Sequence, residues 1–250
     1  MQFSRKGLLL LVIIAAVGCQ DPANKKKDTG KETVLGNGEN TVQAQSLVTP
    51  ENFIRAETDR MFYATSMLPG AGINRFYHAA SITPLDSQTV VRMNRDVLYS
   101  GAVVDAGKGA SILFPVIPDG RYASVLVIDN DHYCSEVLYR PGKHRIPNDT
   151  KYVLLALRIQ VFDPKDRKET ALVRNLQQQF VIEAASADPF PKPNWDTTSL
   201  NELHKKYEKE FSVFKIYPDD WMGPRGQVNE ATRHLAAAGA WGLFPNNVSS

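Results

Sequence analysis

Several familiar signatures are missing from this chain. No HExxH helix, GxSxG turn or Gly-rich phosphate loop occurs in its 250 residues, which removes the usual routes to zinc proteolysis, nucleophile-elbow hydrolysis and nucleotide binding. Cysteine is scarce, with Cys19 and Cys134 the only two. Charge of one sign is not in excess: of 29 basic and 27 acidic residues, residues 1–18 hold two basic and no acidic ones, which leaves 27 of each beyond them. A neutral domain argues against a nucleic-acid partner, whose phosphates call for a basic surface. The N-terminal apolar run, Gly7 to Val17, is eleven residues long, too short to cross a bilayer as a helix. No internal repeat is visible.

That short run reads as part of an export signal. Arg5 and Lys6 precede it and "AAVGC" closes it, the order of charged, apolar and small-residue regions that such signals show. The closing residues resemble the lipobox of bacterial lipoproteins, with Ala16 where leucine is usual. The resemblance implies that Cys19 is acylated and becomes the mature N-terminus, each chain contributing about 0.8 kcal/mol per buried CH₂ to membrane attachment. Gln20, not Asp, follows the cysteine, which in a Gram-negative host implies the outer membrane facing the periplasm. An ordinary secretory signal is the alternative. With Cys19 lipidated, Cys134 is the remaining thiol and no intrachain disulfide can form. The domain must then rest on its own core, for which about 200 residues is ample. Residues 20–46 are polar, with Lys25 to Lys27 among them, and read as a solvated tether. The expected organisation is a signal peptide over 1–18, a disordered tether over 19–46 and one domain over 47–250.

Within that domain, "TPENFIRAETDRMFYATSM" predicts a helix. Thr49 is placed to cap it, Pro50 suits its first position, and Phe53, Ile54, Met61 and Phe62 trace an apolar stripe. Short apolar runs follow, at Val97–Val104, Ser111–Val116, Tyr122–Asp129, Ser135–Tyr139 and Tyr152–Phe162, separated by turn compositions. Their close spacing favours antiparallel hairpins, because parallel pairs need long crossovers. Three helical patterns close the chain: residues 163–184 with Asp166 as cap, 196–214, and 229–242. The expectation is an α+β fold, an antiparallel β-sandwich-like core with an N-terminal helix and C-terminal helices packed on it.

The segment "MNRDVLYSGAVVDAGKGASILFPVIPDGRYASVLVIDND" carries two motifs. Asn94, Arg95, Asp96, Leu98, Tyr99 and Ser100 make an "NRDxLYS" core, with Asp105 closing the apolar run; Pro118, Gly120, Arg121, Tyr122, Ser124, Val127, Ile128 and Asp129 make "P…GRYxSxxVID". The pair resembles the bacterial domain-of-unknown-function family 1254; the resemblance covers about residues 47–180, with a weaker echo in "AWGLFP" at 240–245. Many members of that family carry a second β-rich domain, for which this chain has no room. The resemblance implies a β-sandwich-like core with helices and no established reaction.

Asn94, Arg95 and Asp96 stand before a core strand, where they either brace the fold or ring a pocket. On a strand Arg95 and Asp96 point to opposite faces, so each needs another partner: Arg158 for Asp96, and Asp129 or Asp105 for Arg95. As a site, Asn94, Arg95, Asp96, Tyr99, Asp129 and Arg158 would bind an acidic or hydroxylated small ligand, the guanidinium fork matching a carboxylate or phosphate. "VIDNDHYC" is a second constellation. His132 with Cys134 suggests a thiol–imidazole pair, and Asp129, Asp131 and His132 could hold a divalent cation; no other cofactor is expected. Trp195, Trp221 and Trp241 read as packing residues, with sugar stacking the alternative. Three functional expectations follow. The first is a lipid-anchored envelope protein that binds, and could process, a small polar or carbohydrate-like ligand. The second is a non-enzymatic envelope protein serving partner binding, and the third a hydrolase.

Overall fold

A computed structural model describes residues 44–82, 94–211 and 220–239. The signal, Cys19 and most of the tether lie outside these residues, as do positions 212–214 of one expected helix and Trp241. Within the described residues, no helix is long and apolar enough to cross a membrane.

In chain order the elements are α1 (Phe53–Ser66), β1 (Tyr77–His78), β2 (Val97–Asp105), β3 (Ala110–Phe114), β4 (Ala123–Asp129), β5 (Cys134–Leu138), β6 (Gly142–Ile146), β7 (Tyr152–Gln160), α2 (Arg167–Gln177), β8 (Val181–Ala184), α3 (Thr197–Phe211) and α4 (Arg233–Gly239). Two antiparallel sheets form, one ordered β1-β2-β7-β4-β5 and a smaller one ordered β6-β3-β8. The α+β sandwich expected from the sequence is what the chain builds.

The large sheet is the middle layer. Along one face Leu98, Ala102, Val104, Val125, Val127, Leu155 and Leu157 pack with Ile112 and Phe114 of the small sheet and with Val173 and Leu176 of α2. Along the other, Val103, Leu126, Ile128 and Leu154 meet Met61 and Phe62 of α1 and the ring of Phe190. Burial on both faces explains why β2, β4 and β7 read as unbroken apolar runs: alternation requires a solvated face, and these strands have none. A third cluster joins α1 to α3 and α4 through Phe53, Leu200, Tyr207 and Leu235. Gly101 lets α1 approach β2 closely, since a Cβ there would meet the Thr65 methyl at 3.2 Å.

Three short strands escape the sequence pattern. In β6 only Ile146 is buried, so "GKHRI" carries the polar composition of a turn. β8 lies in what reads as the tail of α2, which ends at Gln177. β1 is two residues long. Helix α1 begins three residues later than predicted: Asn52 is its N-cap, and Asn52 Oδ1 accepts the Thr49 N–H at 2.8 Å, so Pro50 and Glu51 form a turn ahead of the helix. The predicted Asp166 cap holds, its carboxylate accepting Lys168 N–H at 2.8 Å. The ordered chain also starts before Leu47. Ser46 bridges Trp195, with Ser46 N to Asn194 O and Asp196 N to Ser46 O both at 2.8 Å.

Candidate functional site

β2 and β4 run in the same direction, each antiparallel to β7 between them. Register therefore sets Tyr99 opposite Arg158, and Arg158 opposite Ser124. Cross-strand partners share a face, so the three form a polar row on the α1 side of the sheet, at the end nearest the start of β2. All three are buried, Tyr99 at 8% exposure, Arg158 at 7% and Ser124 at 1%. Such a row is unexpected on a face that is apolar elsewhere, because burying polar groups costs free energy unless they are satisfied.

Two more tyrosines close the cluster. Tyr122 donates its hydroxyl to Ser124 Oγ at 2.9 Å. Its ring lies 6.2 Å from that of Tyr139, tilted by 58°, and both rings are substantially exposed at the rim. At the centre, the Tyr99 hydroxyl is buried, with the Asn94 backbone N–H directed at its oxygen and no acceptor for its own proton among the described residues. Burial pushes this phenol up to about 12, against the pull of the Arg158 guanidinium. It is a neutral donor at physiological pH. A buried hydroxyl proton without an acceptor carries a penalty of about 1–3 kcal/mol that a ligand oxygen or a water would relieve.

The predicted site residues divide between the two ends of the sheet. Tyr99 and Arg158 are brought together, and Asp96 is close enough for its charge to act on the Tyr99 phenol. Asn94 sits half-buried beside them. Arg95 and Asp96 are exposed, so neither is a buried charge at the strand mouth. Neither Asp105 nor Asp129 can pair with Arg95. Asp129 ends β4 five residues beyond Ser124, about 17 Å away at roughly 3.4 Å per residue. Asp105 ends β2 at that same far side. Tyr122, Ser124 and Tyr139 are the members sequence reasoning missed as site residues. Tyr122 and Ser124 stood in the "GRYxS" motif, but only strand register shows that they face Tyr99.

Asp105 and Arg121 turn out to be braces. Asp105, fully buried, accepts the N–H of Gly107 at 3.1 Å and of Asp188 at 2.9 Å. Burial opposes its ionisation, but these donors outweigh it and hold the carboxyl below its usual range. Arg121 grips Glu169 of α2 through both terminal nitrogens, at 2.5 and 3.3 Å, and donates to Gln160 O at 2.7 Å. Its guanidinium also lies 4.2 Å from the centre of the Phe162 ring. The turn before it places Asp119 and Gly120 at φ of 63° and 65°, where glycine is unstrained.

"VIDNDHYC" forms a turn between β4 and β5. Asp129 Oδ1 accepts the N–H groups of Asp131 and Tyr133, both at 2.9 Å, and Oδ2 takes Arg225 at 2.7 Å. Asp131 pairs with Arg225 at 3.0 Å and with Arg55. These carboxylates are thus neutralised by arginines, and no cluster of three or more metal-ligating side chains occurs among the described residues. His132 stands at φ 66°, its Nδ1 3.0 Å from Thr58 Oγ1. Thr58 Oγ1 itself donates to Ile54 O at 2.6 Å. Burial pushes this imidazole down to about 4 and the Cys134 thiol up to about 12. A thiol so far from ionisation is a poor nucleophile. Trp195, expected to pack, also donates its indole N–H to Asp59 at 2.9 Å.

Fold and site together define an α+β sandwich with a buried polar cluster at one end of its central sheet. Residues 73–144 match the family model DUF1254, a protein family of unknown function; the match spans both motifs. The fold is similar to that of the VPA0106 protein from Vibrio parahaemolyticus, with a TM-score of 0.50 at 14% identity over 77% of this chain. The aligned region is 66% of that protein's chain, just under two thirds of its length. No curated protein matches.

Proposed function

We propose that this is an exported, lipid-anchored envelope protein whose domain binds a small polyhydroxylated, carbohydrate-like ligand at the Tyr99–Arg158–Ser124 end of the sheet. The observation that carries the reading is the Tyr99 hydroxyl, buried among other polar side chains with no acceptor for its proton among the described residues. A ligand hydroxyl or carboxylate oxygen accepting from Tyr99 would remove that penalty. Tyr122 and Tyr139, at the rim, offer ring faces against which a sugar can lie. The "AAVGC" lipobox supports anchoring through Cys19.

The test is calorimetric titration of the protein with a panel of neutral monosaccharides and sugar acids, in wild type and Tyr99→Phe. Removing a hydroxyl whose proton has no acceptor should change Tm little, while binding is expected to fall at least tenfold. No binder in the panel, or a binder that Tyr99→Phe retains in full, refutes the site. Anchoring is checked separately by incorporation of labelled palmitate, which Cys19→Ala should abolish.

A further inference from the structure

A concavity lies away from the tyrosine cluster, between α1 and the chain leading into α3. It is a groove of about 230 Å³. Its floor is the α1 face bearing Ala56 and Ala64, small residues that leave the space open, and its walls are Tyr63, Trp195 and Leu200. An apolar cavity of roughly 150 Å³ is enough to take benzene, so this one admits a single ring with a short substituent. Two cations stand beside it, Arg60 and Lys192, and they are not equivalent. Arg60 turns to Glu57 and donates to Asn201 Oδ1 at 3.0 Å, so its charge is balanced within the protein. Lys192 is exposed and makes no ion pair among the described residues. Among the described residues, it is a cation at the rim of an apolar, aromatic-walled groove with no carboxylate paired to it.

We infer that this groove binds a small aromatic carboxylate, its ring between Tyr63 and Trp195 and its anionic group at Lys192. The ring is favoured by the two aromatic walls, which reward edge or offset contacts beyond simple burial. The carboxylate is favoured by charge complementarity. The site is independent of the Tyr99 cluster, and neither reading requires the other.

Phenylacetate is the probe and 2-phenylethanol its neutral counterpart. The indole N–H signal of Trp195, assigned by its absence in Trp195→Phe, is followed in ¹H–¹⁵N spectra of the full chain. Phenylacetate should shift it saturably, and at least fivefold more tightly than 2-phenylethanol. Ala64→Phe, which fills the floor, should abolish the shift. Lys192→Met should lower phenylacetate affinity to that of the alcohol. Its exposed position makes it independent of whether Ala64→Phe folds. The inference is overturned if wild type shows no saturable shift, if a folded Ala64→Phe binds as before, or if Lys192→Met discriminates the two probes as wild type does.

Discussion

Lowering the pH should weaken this fold through His132. The imidazole is fully buried, packed between Thr58 of α1 and Ala236 of α4, with Glu57 favouring and Arg233 opposing its protonation. Its folded value is about 4 against an ordinary 6.5. Between those values the unfolded chain binds the proton and the folded one does not, so this contribution to stability is complete above pH 6.5. It declines as the pH falls through the window and levels off near 4. At about 1.4 kcal/mol per pH unit, the drop from pH 6.5 to 5 costs on the order of 2 kcal/mol. For a domain of this size that is a fall in Tm of about 4–8 °C. His78, also lowered by burial, acts in the same direction, so the variant must isolate His132. Asn tolerates a φ of 66° and does not titrate. His132→Asn will lie below wild type at pH 7.5 because it leaves a void, and slopes rather than levels are the comparison. Thermal melts at pH 7.5, 6.5, 5.8 and 5.0 should show a markedly shallower decline for the variant. Parallel profiles for the two proteins would refute the reasoning.

Two other perturbations separate braces from surface residues. Arg121→Met strands the Glu169 carboxylate, which keeps some solvent contact, so urea denaturation should show a loss of about 2 kcal/mol rather than the 3–5 typical of a fully buried pair. Arg95→Ala and Asp96→Asn alter exposed side chains and should change stability by less than about 0.5 kcal/mol in the same assay. A large loss in either would restore the bracing role that the fold denies them.

Much of the architecture was legible in the chain. The five long or apolar strands, the first helix and the Asp166 cap announce themselves because burial and capping demand particular residue types at local spacing. β6 and β8 were hidden for the converse reason: they form the small outer sheet, where Leu113 and Val181 face solvent and Lys143 pairs with Glu183, so their composition matches that of turns and helix tails. Tyr99 and Arg158 stood out singly as polar interruptions of apolar runs.

What the sequence determined by itself is the class of fold and the fact that "NRDVLYS" and "GRYxS" carry polar groups into a core. Which of those groups meet was decided only in three dimensions. Arg95 and Asp96 belong to the motif yet reach solvent, while Tyr122, Ser124 and Tyr139 join Tyr99. Asp129, in the same motif as Ser124, stands at the other end of the sheet. The physical reason is register: hydrogen-bonded pairing of β2 with β7 and of β7 with β4 sets residues 59 and 34 positions apart side by side. Local pattern, which reports only which face a side chain takes, carries no information about its neighbour across the strand.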